Sequence, residues 1–195
     1  MMEIRQPKPA CIGRDDSSQP QFAMSRRLAP YLIALALSGA TIPALAAETA
    51  SARMKNSDGG DAGTAQLMGT PHGVLIHVRL QGLPPGVHAF HIHSVGRCEP
   101  PFTSAGGHFN PEQREHGLVN PRGPHAGDLP NITVPASGSL EFEVFASRVS
   151  LADGAANGLI DADGSSLVVH AGPDDYRSDP AGHAGDRIVC GVIVR

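Results

Sequence analysis

From about residue 49 onward, hydrophobic and polar residues alternate with a period of two. In "GVLIHVRLQG", Val74, Ile76, Val78 and Leu80 share one side, and Leu75, His77 and Arg79 share the other. That pattern predicts a half-buried antiparallel strand, because successive side chains of a strand point to opposite faces. It places His77 toward solvent, and no function is assigned to it. Earlier, "TASARMKN" and "AGTAQLMGTPH" read as two strands split by the turn "SDGGD". Val87–His93 reads as the return strand after the turn "QGLPPG", and "NITVPASGSLEFEVFA" as a hairpin across "PASGS". "SLVVHA" and "RIVCGVIV" read as the last two strands. Roughly eight strands separated by turn signals predict an all-β sandwich or barrel.

Composition agrees with this and narrows it. The 195 residues include 23 Gly and 17 Pro but no Trp, and no long amphipathic helical pattern occurs. The net charge of −4, with no basic stripe, argues against a nucleic-acid partner. The N-terminus has a different texture. Residues 1–23 are polar and aperiodic, and Met24 is the expected start. Arg26 and Arg27 form a positive region, Leu28 to Ile42 a mostly apolar one, and Ala44-Leu45-Ala46 a small-residue cleavage signal. Residues 1–46 are therefore expected to be an extension plus a cleavable signal peptide, and residues 47–195 a single periplasmic or secreted domain. The apolar run is short and carries Pro30 and Pro43, so no stable membrane anchor is expected after cleavage. The mature part has a charge of −6 and keeps all ten histidines. It also keeps two cysteines, Cys98 and Cys190, which in an exported chain are a candidate disulfide.

One region breaks the strand pattern. Ser94 to Leu129, "SVGRCEPPFTSAGGHFNPEQREHGLVNPRGPHAGDL", is too long to be a plain connection in a compact domain, and such loops are usually functional or disordered. It carries His108, His116, His125 and Asp128, and a metal would give it a reason to be ordered. Three imidazoles and a carboxylate can make a closed tetrahedral zinc site. Just before the loop, His91 and His93 stand at i and i+2 on a strand, side by side on one face, with Phe90 and Ile92 on the other. His88 falls on the opposite face from His91 by parity and is read as a hydrogen-bonded brace. His170 ends "SLVVH" and offers a further imidazole, a ligand type that suits both copper and zinc.

The blocks "GVHAFHIH", "SAGGHFNP", "PHAGDLPN", "SLVVHAGPDD" and "GHAGDRIVCGVI" occur in this order from about Val74 to the end. Together they resemble the copper/zinc superoxide dismutase family. The resemblance implies an eight-stranded antiparallel Greek-key β-barrel with long metal-binding loops. It implies one copper per subunit on His91, His93, His108 and His170, and one zinc on His108, His116, His125 and Asp128, with His108 shared. Asp174 would orient His91 and His116 from behind, Cys98 and Cys190 would form the disulfide, and Arg187 would stand beside the copper and dock the superoxide anion. The implied reaction turns two superoxide and two protons into dioxygen and hydrogen peroxide, with His108 handling a proton.

Some positions depart from the family pattern. Ala89 stands where Gly is expected, and His183 where Asn is common; His183 is read as a loop residue that holds the arginine's turn. Between Asp174 and Asp186 the only base is Arg177, so steering of the anion falls to Arg187. Outside the resemblance, Arg187 would pair with Asp186 or Asp179 on the surface. Asn131-Ile132-Thr133 fits a glycosylation sequon and is read as chance. The rival reading is a non-enzymatic copper/zinc-binding or copper-delivery protein on the same fold. The family includes homodimers, and nothing in the sequence selects a surface for one.

Overall fold

The computed structural model describes residues 47–195. The expected start at Met24 and cleavage after Ala46 lie outside the described residues. Within the described residues there is no α-helix, and none is long and apolar enough to cross a membrane. Nine strand segments are present: β1 (Thr49–Asn56), β2 (Asp61–Thr70), β3 (Gly73–Leu80), β4 (Gly86–His88), β5 (Phe90–His93), β6 (Ile132–Val134), β7 (Leu140–Ala146), β8 (Ser166–His170) and β9 (Arg187–Val194).

Seven strands form a curled antiparallel sheet in the order β5-β8-β9-β1-β2-β3-β7, and β4 and β6 form a small second one. β4 and β5 are one extended stretch interrupted at Ala89, where the chain passes from the small sheet to the large one. Counted as one strand, they restore the expected eight. β9 lies beside β1 of the β1-β2-β3 meander, which is the spatial order of a Greek key.

Two local expectations need correction. β4 and β5 do not return along β3; β3 pairs instead with β7, through Val74↔Ala146 to Leu80↔Leu140. Nor do β6 and β7 form a paired hairpin, since β6 pairs with β4 and β7 with β3. Alternation specifies a strand and its buried face but not its neighbour, and here each neighbour comes from far along the chain. The β6–β7 gap is a seam in the barrel. Beside it Leu140, Phe142 and Val144 are only half-buried although they sit on the inner face of β7.

The core follows the alternation. Leu67, Ile76, Val78, Phe90, Ile92, Leu167, Val169, Val189 and Ile193 are all buried in one cluster. Phe90 meets Phe142 edge-to-face, with ring centroids 5.5 Å apart. In β2 the alternation slips by one, so that Ala62 and Ala65 are both buried. Gly63 makes this slip possible. Its φ is +130°, and a Cβ there would sit 2.0 Å from the Arg79 carbonyl, so the bulge admits glycine only.

Candidate metal centre

His91 and His93 are wholly buried on the outer side of β5, opposite Phe90 and Ile92. The Ser94–Leu129 loop covers them. It is ordered although its one regular element is a 3-10 turn, Thr103–Ala105. Two isolated bridges, His91↔Asp128 and His93↔His108, lay it along β5. Beneath it, Phe102 and Ala105 pack on Val168 and on the disulfide between Cys98 and Cys190.

The structure brings the histidines into two buried groups that share His108. In one, His91, His93, His108 and His170 each offer a ring nitrogen within 4.8 Å of the others. In the other, His108, His116, His125 and Asp128 converge equally closely. Most of these rings are anchored by one nitrogen, which leaves the other aimed inward. His91 Nε2 lies 2.9 Å from Asp174 Oδ2, His93 Nδ1 3.0 Å from the Gly106 carbonyl, and His170 Nδ1 3.1 Å from the Gly185 carbonyl. His93 Nε2 and His170 Nε2 then face each other at 3.4 Å, and His91 Nδ1 and His108 Nε2 are buried with no hydrogen-bond partner. In the second group the Nδ1 atoms of His108, His116 and His125 lie 2.7, 3.0 and 3.3 Å from Asp128 Oδ1. Asp128 Oδ2 accepts the backbone N–H groups of Gly117 and His125.

This donor set fits two metal ions. Buried polar atoms nearly always find partners, so orphaned nitrogens pointing at one another call for an electrophile between them. Metal ligation also needs neutral imidazole. Burial, helped by repulsion from His108, holds His93 well below its ordinary pKa; burial and His91 bring His108 to about 4 and His170 to about 3. Burial works against a charged His116 as well, but the carboxylates of Asp128 and Asp174 outweigh it and raise its pKa to about 9. Burial opposes ionisation of Asp128 and Asp174 too, yet their hydrogen bonds with the histidines keep both ionised far below the usual carboxylate range. His93, His108 and His170 are thus held as neutral imidazoles, whereas the second group is built around the Asp128 carboxylate.

Asp174 spans the two groups. Its Oδ2 lies 2.9 Å from His91 Nε2 and its Oδ1 2.9 Å from His116 Nε2. Arg187 makes no ion pair with Asp186 or Asp179. Its guanidinium donates instead to the carbonyls of Phe102, at 2.6 Å, and Gly106, at 2.7 Å. His88 is buried, with Nδ1 2.9 Å from the His170 carbonyl and Nε2 2.9 Å from the Pro84 carbonyl, so it ties two segments together outside both groups. His77 is half-buried on the outer sheet face against Glu141. His183 is exposed and pairs with Asp175, 3.1 Å away, rather than with the Arg187 turn.

Three residues to which the sequence assigns no role at the metal centre also touch this framework. Asp179 Oδ1 accepts the His116 backbone N–H at 2.7 Å and lies 3.8 Å from His125 Nε2. Asn131 and Tyr176 hold the backbone around Asp174. All three are polar loop residues whose partners lie 43 or more positions away, so spacing cannot reveal them.

A family model described as copper/zinc superoxide dismutase matches residues 61–193. The chain is 52% identical over 146 residues to superoxide dismutase [Cu-Zn] 2 of Aquifex aeolicus, covering 74% of this chain and 85% of that protein. It is 48% identical over 148 residues to superoxide dismutase [Cu-Zn] of Caulobacter vibrioides, with the same two coverages. Among solved structures, a mutant of a SOD-like protein from Bacillus subtilis superimposes with a TM-score of 0.72 at 40% identity, over 74% of this chain and 97% of that one. The Cu/Zn superoxide dismutase of Brucella abortus gives a TM-score of 0.60 at 31% identity, over 74% and 99%.

Proposed function

Since the chain belongs to the copper/zinc superoxide dismutase family and is a superoxide dismutase using copper and zinc, we propose a division of labour among its residues. His91, His93, His108 and His170 hold the copper, and His108, His116, His125 and Asp128 hold the zinc. The observation that carries this is the pair of buried, unpartnered nitrogens, His91 Nδ1 and His108 Nε2, each aimed into the group of four imidazoles. Copper, when bound, supplies the one-electron chemistry that oxidises one superoxide to dioxygen and reduces a second, with two protons, to hydrogen peroxide.

The chain's own residues do the rest. His108 faces both groups, with Nδ1 against Asp128 and Nε2 toward His91, His93 and His170. Nε2 can therefore take a proton in one half of the cycle and return it to the product in the other, while Nδ1 keeps the ring in place. Arg187 is a fixed cation whose two terminal nitrogens are held by backbone carbonyls. It docks the incoming anion by charge and by donating hydrogen bonds. Because the mature chain has a charge of −6, attraction for superoxide is local to Arg187 rather than a property of the whole surface.

The working form is the chain from Ala47, cleaved after Ala46 and acting outside the cytoplasm. The Ala44-Leu45-Ala46 signal supports this, as does the Cys98–Cys190 disulfide, a bond favoured by oxidising compartments. No nucleic acid or membrane takes part. A homodimer is compatible with the family, with no surface singled out. The rival reading, a metal-carrying protein without activity, is disfavoured because every ligand position is filled and every anchor is in place. Loading the protein with copper and zinc and measuring superoxide removal, beside His93→Ala, tests the reading. The expected result is activity in the wild type and its loss in the mutant. Full activity in His93→Ala would overturn the copper assignment, and a fully loaded but inactive wild type would favour the carrier.

A further inference from the structure

Asp174 aligns one ring of each metal group, so what aligns Asp174 matters as much. Its carboxylate lies within 2.9 Å of both rings, and its backbone is gripped by a single side chain. The Asn131 amide donates through Nδ2 to the Asp174 carbonyl at 2.9 Å and accepts the Asp174 N–H through Oδ1 at 2.8 Å. The Asn131 side chain thus pairs with the main chain of residue 174 as a neighbouring strand would. Asn131 is itself fixed, because its own backbone N–H donates to the Tyr176 hydroxyl at 2.7 Å. Tyr176 closes the circuit by donating its backbone N–H to Asp174 Oδ1 at 2.7 Å. From the opposite side the backbone of Gly182 leaves no slack. A Cβ there would lie 1.9 Å from Asp174 Oδ1 and 2.7 Å from His116 Nε2. The residue whose sequence context suggested only a chance glycosylation match has both amide atoms engaged in the interior of the site.

We propose that Asn131 is a positioning residue for the metal centre: it locks the backbone of Asp174, and through that carboxylate it sets the orientation of His91 and His116 together. The proposal rests on the metal assignments above. Groups that orient metal-bound histidines are commonly worth 10–100-fold in metal affinity. Asn131 acts one bond further out, so its removal is expected to cost zinc affinity about tenfold, at the low end of that range.

The test compares wild type, Asn131→Ala, Asn131→Asp and Asp175→Asn as intact chains loaded with copper and zinc. Asp175 staples the same loop, accepting the N–H groups of Arg177 and Ser178 and facing His183, but touches neither metal group. Asn131→Asp keeps the acceptor for the Asp174 N–H and loses the donor, so it reports even if the alanine variant does not fold. The readouts are zinc loss to a chelator and the electron paramagnetic resonance spectrum of bound Cu(II). The expected result is faster zinc loss and an altered copper spectrum in both Asn131 variants, with Asp175→Asn like wild type. Wild-type zinc retention and spectrum in the Asn131 variants would overturn the proposal. So would an Asp175→Asn variant that shifts both readouts as far, since that would mark a general loop effect. A wild type that fails to take up both metals would instead overturn the site assignment on which the proposal rests.

Discussion

The two metal groups share one histidine and little else. Three of the four imidazoles in the group proposed for copper stand on strands, His91 and His93 on β5 and His170 at the end of β8. β5 and β8 pair directly, through Phe90↔Val169 to His93↔Ser166, and their other face is the hydrophobic core. All four members of the group proposed for zinc stand on the Ser94–Leu129 loop, which has almost no regular structure. Three members of the first group are held by the sheet. The other is held by the buried charge of Asp128, toward which three imidazoles and two backbone N–H groups point. A redox site gains from a rigid frame that resists change as the metal changes charge, whereas a closed structural site can be assembled by its own ligand.

That contrast can be broken in graded steps. Phe90 lies directly beneath the strand-held group, wholly buried against Phe142. Phe90→Ala is expected to destabilise the protein by about 3–5 kcal/mol. Urea unfolding of the metal-free form measures this, and a loss below about 1 kcal/mol would show that the core beneath β5 is not what steadies the strand-borne histidines. Asp128→Asn strikes the other group. It removes the carboxylate proposed to bind zinc and leaves three imidazoles without their shared charge, so zinc affinity should fall by at least about 100-fold, the most that losing a merely orienting group costs, while copper uptake stays near wild type. Metal content after dialysis against a chelator reads both ions, and equal loss of the two would erase the distinction. At the bottom of the scale, His77→Ala alters only an outer-face contact with Glu141, which also pairs with Arg79. It should shift stability by less than about 0.5 kcal/mol and leave metal content and activity unchanged.

The sequence shows these two regions unequally. Parity along "FHIH" already separates His91 and His93 from Phe90 and Ile92, because the strand period is a local property. His88 likewise falls outside both groups, as its parity implies. The loop histidines follow no fixed spacing, so the sequence offers them as candidate ligands, and only the family resemblance divides them between two ions. Strand neighbours were misread at β3–β4 and β6–β7 because alternation carries no information about which strand lies alongside. The roles of Asn131, Tyr176 and Asp179 at the centre are hidden for a related reason: a polar loop residue looks the same whether it faces water or a backbone 43 residues away. The disposition of Arg187 differs from a surface salt bridge because the loop that the disulfide pins to β9 supplies carbonyls before any carboxylate comes within reach.

The Gly106 carbonyl accepts from Arg187 and also lies 3.0 Å from His93 Nδ1, so a single oxygen fixes both an imidazole proposed to hold copper and the cation proposed to dock the substrate. Loop engineering meets a hard limit here. Residues 147–165 join β7 to β8 and contribute no residue to either buried group. Between Thr103 and His108, one inserted residue is expected to shift the Gly106 carbonyl and with it both His93 and Arg187, so this turn must be inherited at fixed length even while the surface around it is rewritten.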